Sequence, residues 1–509
     1  MATVAAKADD IATGRQLFYD SRTARYLCSV SEDCFDDGSV SAYRCDTAAI
    51  DFTCLPIVRL HGTFSNDYSS ATIDLSMPDG TRSEAMLAKV KWRGASTNAD
   101  GKHKRNYTLK FLGEDGKKQD RKFFGLRNDN TWILDAAQVD LSRIRNRVAT
   151  DLWNDFAAKP YYYQQEPKAL TGTRGQFVEL FLDDEYRGIY CMTENIDRSQ
   201  LKLKKYEEGT PPTLHGMLWK SAGFTYSNFW GYGDYDNTLT SWGSLETKYP
   251  DPDDVMPTDY STIYNAVRFI CDSSDDDIRQ HAAEYFDLPV VADYFILINL
   301  LYAIDNVAGY NCFWACYDQQ QDKRLTMAVW DLDATTGQHP NPKLYHPDNV
   351  NAARPDTMLQ QGLNWALWRT DTPGFRDYAT QHYQQLRTTL FSLDSLQQRY
   401  HTYMDLLTKA GAYRREAERW SGDSDICGNT LDFEAERQYI DQWLADRLPM
   451  LDTYVFPAGT GINGISDVTA PTPTPSATAT YDILGRRLPS GAVLRPGLYI
   501  RNGRKIIIR

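Results

Sequence analysis

Four side chains in the second half of the chain have the types and spacing of an oxygen-donor site: Asp305, Asn311, Asp331 and Asp333. In "MAVWDLDATTG" (327–337) an apolar run ends abruptly in Asp331, and Asp333 follows one residue later. Two carboxylates this close repel, and each raises the other's pKa unless a cation is present. Mg²⁺ accepts carboxylates, waters and phosphate oxygens, so a strand that delivers Asp331 to such an ion gives the charge a partner. The plain alternative is a strand end whose acids are merely solvated. "DLD" also fits the DxD metal pattern of nucleotide-sugar transferases.

Each of these residues must sit at the end of an element, where oxygen ligands point into a cleft and not into a core. The apolar segment "LPVVADYFILINLLYAI" (288–304) predicts a buried helix, with Asp287 as its cap and Pro289 in its first turn. It is short for a membrane span and carries Asp293 and Asn299, so no transmembrane segment is expected. Asp305 follows at once in the loop "DNVAGY", Asn311 opens a strand, and "NCFWACY" and "LTMAVW" form a hairpin ending at Asp331. Helix, Asp, loop, Asn, hairpin, Asp is the order of parts in a protein-kinase catalytic segment. There one Asp orients or deprotonates the attacking hydroxyl, while Asn and the second Asp hold the metal.

Upstream, "LPIVRLHG", "SATIDLSM", "MLAKVKWRG" and "RNYTLKFL" read as strands within 53–111. In "KHKRNYTLKF", alternation places Lys104, Asn106, Thr108 and Lys110 on one strand face. A strand lysine facing a cleft can neutralise phosphate as a point charge. Residues 102–127 hold nine Lys or Arg against three acids, a basic island in a chain of net charge −13. That acidic total argues against nucleic acid as a partner. "DLSRIRNRVATDLWNDFA" (140–157) has helical spacing, with Asp140 or Ser142 as its cap. A polar, aromatic insert fills about 205–260, and 355–455 is mostly helical. Nine cysteines include Cys28, Cys34, Cys45 and Cys54, enough for two disulfides, but no CxxC pair suggests zinc.

In order, "WRGAST", "KRNYTLKF", "VDLSRIRNRVATDLW", "VELFLDDEYRGIYCMTENID", "GMLWK", "IDNVAGYN" and "VWDLD" resemble the spore coat protein H (CotH) kinase family. The resemblance covers roughly 53–340. It implies an α+β, atypical protein-kinase-like fold with a mixed β N-lobe and a mostly helical C-lobe. It also implies transfer of phosphate from ATP to serine or threonine of a protein substrate, with Mg²⁺ or Mn²⁺. By resemblance, Asp305 matches the catalytic aspartate, and Asn311 and Asp331, with Asp333 beside them, the metal ligands. Lys110, with Lys104 as the alternative, matches the nucleotide-binding lysine. Glu194 and Asp197 lie where a hinge would meet adenine or ribose, and Arg145 and Asn146 on the helix that would support the lysine. Two departures stand out: Asp305 and Asn311 are six apart where five is usual, which offers Asn306 as a substitute ligand, and "RGAST" replaces the usual RGNSS. An inactive pseudokinase that serves as a surface binding protein is the alternative these departures leave open.

The expected organisation is a lead-in over 1–52, a kinase-like domain over 53–455, a Pro/Thr linker over 456–480 containing "APTPTPSATAT", and a small β C-terminal tail over 481–509. The tail, "YDILGRRL…LRPGLYIRNGRKIIIR", resembles the sorting signal of type IX secretion substrates and implies a secreted or cell-surface protein. "MATVAAKADDIATGRQ" at the start lacks the long apolar stretch of a signal peptide, which conflicts with that expectation.

Overall fold

The computed structural model describes residues 55–78, 81–183, 185–340 and 362–458, together with 346, 352 and short strands at 17–20, 25–28, 480–482, 497–501 and 504–508. Cys34, Cys45 and Cys54, and residues 459–479 of the expected linker, lie outside the described residues. The chain divides into two compact units, Met1–Gly459 and Thr460–Arg509.

In the larger unit the upstream strands close on themselves. These are β1 (Ile57–His61), β2 (Ser69–Ser76), β3 (Met86–Arg93), β4 (Asn106–Phe111), β5 (Thr131–Asp135), β6 (Gly175–Leu182) and β7 (Glu185–Thr193). Their order is β6-β7-β5-β4-β3-β2-β1, and β1 pairs parallel with β6, Ile57 opposite Glu179, to complete a barrel. The strand readings hold, but a seven-stranded closed barrel stands where a mixed β N-lobe was expected. Alternation explains the interior: Val58, Leu60, Ile73, Val90, Leu109, Phe111, Trp132 and Leu180 fill it.

A second sheet combines the insert with the hairpin. Its strands are β8 (Met217–Ser221), β9 (Ser241–Trp242), β10 (Leu245–Tyr249), β11 (Cys312–Cys316) and β12 (Thr326–Val329), in the order β9-β10-β8-β11-β12. Helix α1 (Arg145–Phe156) lies in sequence between barrel strands β5 and β6. It starts later than its periodicity predicts, because Arg143 takes a left-handed φ of 64°. Neither Asp140 nor Ser142 is its N-cap, although Asp140 Oδ2 accepts the Arg145 N–H at 2.7 Å.

Helix α2 (Leu288–Leu301) is buried on every side except at Pro289, as its unbroken apolar run requires. It ends where Tyr302 turns left-handed, so Asp305 belongs to a separate 3₁₀ turn, Ile304–Gly309. Asp287 occupies its N-cap position without bonding the helix. Its carboxylate accepts from Tyr161 N at 2.8 Å and Thr326 Oγ1 at 3.0 Å instead. Helices α3 (Gly362–Arg369), α4 (Arg376–Arg387), α5 (Leu393–Lys409), α6 (Ala412–Trp420) and α7 (Phe433–Met450) make up the later, mostly helical part. Among the described residues no helix is long and apolar enough to cross a membrane. In the smaller unit Thr480–Asp482, Gly497–Arg501 and Arg504–Ile508 form an antiparallel three-stranded sheet.

Candidate active site

The 3₁₀ turn and the ends of the β11–β12 hairpin bring Asp305, Asn311 and Asp331 together. Asn311 Nδ2 donates to Asp305 Oδ2 at 2.9 Å and to its backbone carbonyl at 3.1 Å. Asn311 and Asp331 both hold left-handed backbones, with φ of 50° and 58°. Asn and Asp tolerate that region best among side-chain-bearing residues, and such strain gathers at functional sites. The extra loop residue, Asn306, is fully buried, and its amide nitrogen is used within the turn. Its Nδ2 donates to the carbonyls of Asn311 (3.1 Å) and Trp330 (2.8 Å), and its own carbonyl accepts from Tyr294 Oη (2.7 Å). Asn306 therefore ties the turn to both strand ends.

A fourth carboxylate, not anticipated from sequence, joins the group. Asp135 at the end of β5 accepts from Asn146 Nδ2 at 2.8 Å, while Asn146 Oδ1 accepts from the Leu332 N–H at 3.1 Å. Asn146 thereby links the barrel to the "DLD" loop. Burial, the Asp331 charge and the opposing Asn311 hydrogen bond leave the Asp305 carboxyl at about 6. Asp331 opens to solvent at the lip of the cleft, yet protein crowds it closely enough that burial raises its carboxyl. Lys220 and Arg93 oppose that rise, and Asp135 adds to it. Asp333 is pushed well above the usual range by burial, then by Asp331, Asp135, Asp140 and Asp305. Desolvation and like charge together leave a cluster that a cation would relieve.

The donor set is all oxygen and amide, as a hard divalent cation requires. Among the described residues, only His103, Asp423 and Asp425 bring three ligand-type atoms of His, Cys, Asp or Glu within 4.8 Å of one another. That trio serves the fold: Asp425 Oδ2 accepts the N–H groups of His103 and Lys104, each at 2.8 Å. The Asp305 group offers fewer protein ligands to one ion. This suits Mg²⁺, which keeps waters and takes phosphate oxygens.

The residues expected to meet nucleotide are placed elsewhere or engaged. Lys104 precedes β4, is not on its outer face, and is 1% exposed. Its Nζ donates to Glu416 Oε1 at 2.6 Å and to the Ile189 carbonyl at 2.9 Å. Lys110 does lie on the outer face, over the Tyr68 ring at 4.6 Å. Its register partner on β3 is Lys89, four residues from Arg93, so about 13 Å of strand separates Lys110 from the carboxylate end. Glu194 accepts from Arg127 N, Arg174 N and Nη2, and Gln200 Nε2, and these bonds hold its carboxyl below the usual range against burial. Asp197 pairs with Arg127 Nη2 at 2.6 Å and caps a single helical turn at Arg198–Leu201. Arg145, fully buried, bonds Asp140 at 2.7 Å and Glu436 at 2.9 Å, and touches neither lysine. Arg93, at the end of β3, is half-buried with its guanidinium over Trp330 at 5.0 Å. Lys220 on β8 is also half-buried, and its pKa is lowered chiefly by burial.

In an α+β chain, the Asp–Asn turn and the carboxylate hairpin end thus lie beside two cations, Arg93 and Lys220. The chain belongs to the CotH kinase family, whose family model, described as CotH kinase protein, matches residues 90–451. No curated protein matches it.

Proposed function

We propose that this protein transfers the terminal phosphate of ATP to a serine or threonine hydroxyl of another protein, dependent on Mg²⁺ or Mn²⁺. The observation that carries this reading is the Asp305–Asn311 contact at 2.9 Å beside Asp331, in a member of the CotH kinase family. Asp331 and Asp333, with the side-chain Oδ1 of Asn311, would hold the metal, which when bound supplies charge neutralisation to the phosphates. Asp305 orients the incoming hydroxyl and accepts its proton as the oxygen attacks phosphorus. Its anchored turn, fastened by Asn306, holds the carboxylate in place, as general-base catalysis needs.

Two variants test this. Asp305→Asn should lower single-turnover transfer by roughly 10²–10⁴-fold with ATP binding retained. Asp331→Ala should remove the divalent-dependent thermal stabilisation by ATP, about 2.7 kcal/mol at a hundredfold excess over Kd. Transfer at the parental rate by Asp305→Asn would refute the assignment. A second reading, a binding protein without catalysis, draws on Phe224 and Trp230, which are exposed at 49% and 58%, with the Phe224 ring tilted against Tyr310 of the Asp305 loop, centroids 4.6 Å apart. A parent that binds ATP and metal but phosphorylates no protein would favour it.

The tail's resemblance to a type IX sorting signal supports delivery to the cell surface or secretion. Deleting 481–509 should block surface delivery in a host with that pathway and leave melting of the larger unit unchanged. Normal delivery of the truncated chain would refute the proposal.

A further inference from the structure

The lysine expected to carry nucleotide phosphate is absent from the carboxylate end of the cleft, but two other cations are there. Arg93 ends β3, and its guanidinium lies over the Trp330 ring, one residue before Asp331. Trp330 meets Phe313 edge-on at 5.8 Å, and Phe313 is the cross-strand partner of Lys220. Arg93 and Lys220 therefore flank one aromatic pair, from the barrel and from the second sheet. Neither side chain makes an ion pair or a hydrogen bond with a described residue, although both are half-buried and both lie in the field of Asp331. Among the described residues, several of the more deeply buried cations are ion-paired: Arg143 with Glu416, Arg145 with Asp140, Arg415 with Glu179, Arg127 with Asp197; Lys91 and Lys110, half-buried like Arg93, meet only the Tyr68 ring and lie away from the carboxylates. Partly desolvated cations without a hydrogen-bonded ion pair are costly, and a polyanion would satisfy both.

We infer that Arg93 and Lys220 together form the polyphosphate-binding cations of this site, in place of Lys104 and Lys110. The inference rests on the phosphoryl-transfer reading above. Arg93 offers a planar fork of donors and Lys220 a mobile point charge, so the two can grip different phosphate oxygens of one chain. The position beside Asp331 puts the phosphates against the metal ligands, where cation and carboxylate charges alternate.

The test measures binding of ATP, adenosine and inorganic tripolyphosphate, each with Mg²⁺, to the full chain and to Lys220→Met and Arg93→Met. Each substitution should weaken ATP and tripolyphosphate by roughly 10–100-fold and leave adenosine unchanged. Lys220→Arg, which keeps the charge, should restore most of the ATP affinity and guards against a folding defect in Lys220→Met. Parental ATP affinity in both charge-removing variants would overturn the inference while the kinase reading stands. A parent that binds tripolyphosphate through these two residues but not ATP would uphold the anion site and sink the kinase reading. A parent that binds neither would overturn both.

Discussion

Replacing Lys104 by Met separates a structural lysine from a nucleotide lysine. Lys104 shares Glu416 with Arg143: both cations reach Glu416 Oε1, at 2.6 and 2.8 Å, while Oε2 accepts the Ile189 N–H at 2.7 Å. All three side chains are buried. Gly188 permits this approach, because a Cβ there would stand 2.0 Å from Glu416 Oε2 and its φ is +93°. Burial, only partly offset by Glu416, lowers Lys104 from 10.5 to about 7. A drop of that size corresponds to about 5 kcal/mol against the charged form, at 1.36 kcal/mol per unit. The folded pKa lies below the unfolded one, so the penalty is present below about pH 7 and fades as pH rises toward 10.5. Lys104→Met removes the penalty and two hydrogen bonds, and Glu416 keeps Arg143 and a backbone N–H. Its stability at pH 7 should then fall within about 2 kcal/mol of the parent. The parent's advantage from raising pH 7 to 9, about 2 kcal/mol from this group, should vanish in the variant. Glu416→Leu strands two buried cations and should cost about 3–5 kcal/mol. Urea denaturation of the three proteins at pH 7 and 9, with ATP titration of Lys104→Met, makes the comparison. Loss of ATP binding by a normally folded Lys104→Met would refute the reasoning, as would an unchanged pH slope.

Asp287, raised to about 6 mainly by burial, gains its proton in the folded state first as pH falls, so the parent gains stability between about pH 6 and 4. Asp287→Asn keeps an acceptor for Tyr161 and Thr326 and should stabilise the protein by about 1–3 kcal/mol at pH 7.5, an advantage that shrinks toward pH 4. A melting curve showing no gain at pH 7.5 would count against burial as the cause. Asn306→Ala leaves the carbonyls of Asn311 and Trp330 without its amide and should cost about 2–3 kcal/mol by denaturant titration. A loss under 0.5 kcal/mol would mean that the staple is dispensable.

Much of the site's order was legible in the chain itself. The apolar run at 288–304, the hairpin between Asn311 and Asp331, and the alternation in the first four barrel strands follow from local periodicity, which needs no partner to read. Asp305, Asn311 and Asp331 were readable as a group because a short loop and a hairpin force their ends together.

Tertiary structure decided whatever depends on a partner distant in sequence. Period-2 alternation says that Lys110 faces outward, but not that Tyr68 lies beneath it or that the carboxylates are four register steps away. Nothing near Lys104 announces Glu416, which lies 312 residues on, so a buried ion pair looked the same as a cleft lysine. Barrel closure likewise depends on β1 meeting β6, a parallel contact between segments more than a hundred residues apart that no local turn signals. Glu194 and Asp197 gave no sign of their arginine partners for the same reason. Sequence shows which side chains carry charge and which face of an element they take. Only the packed chain determines which charges are neutralised by a distant partner and which, like Arg93 and Lys220, make no ion pair with a described residue.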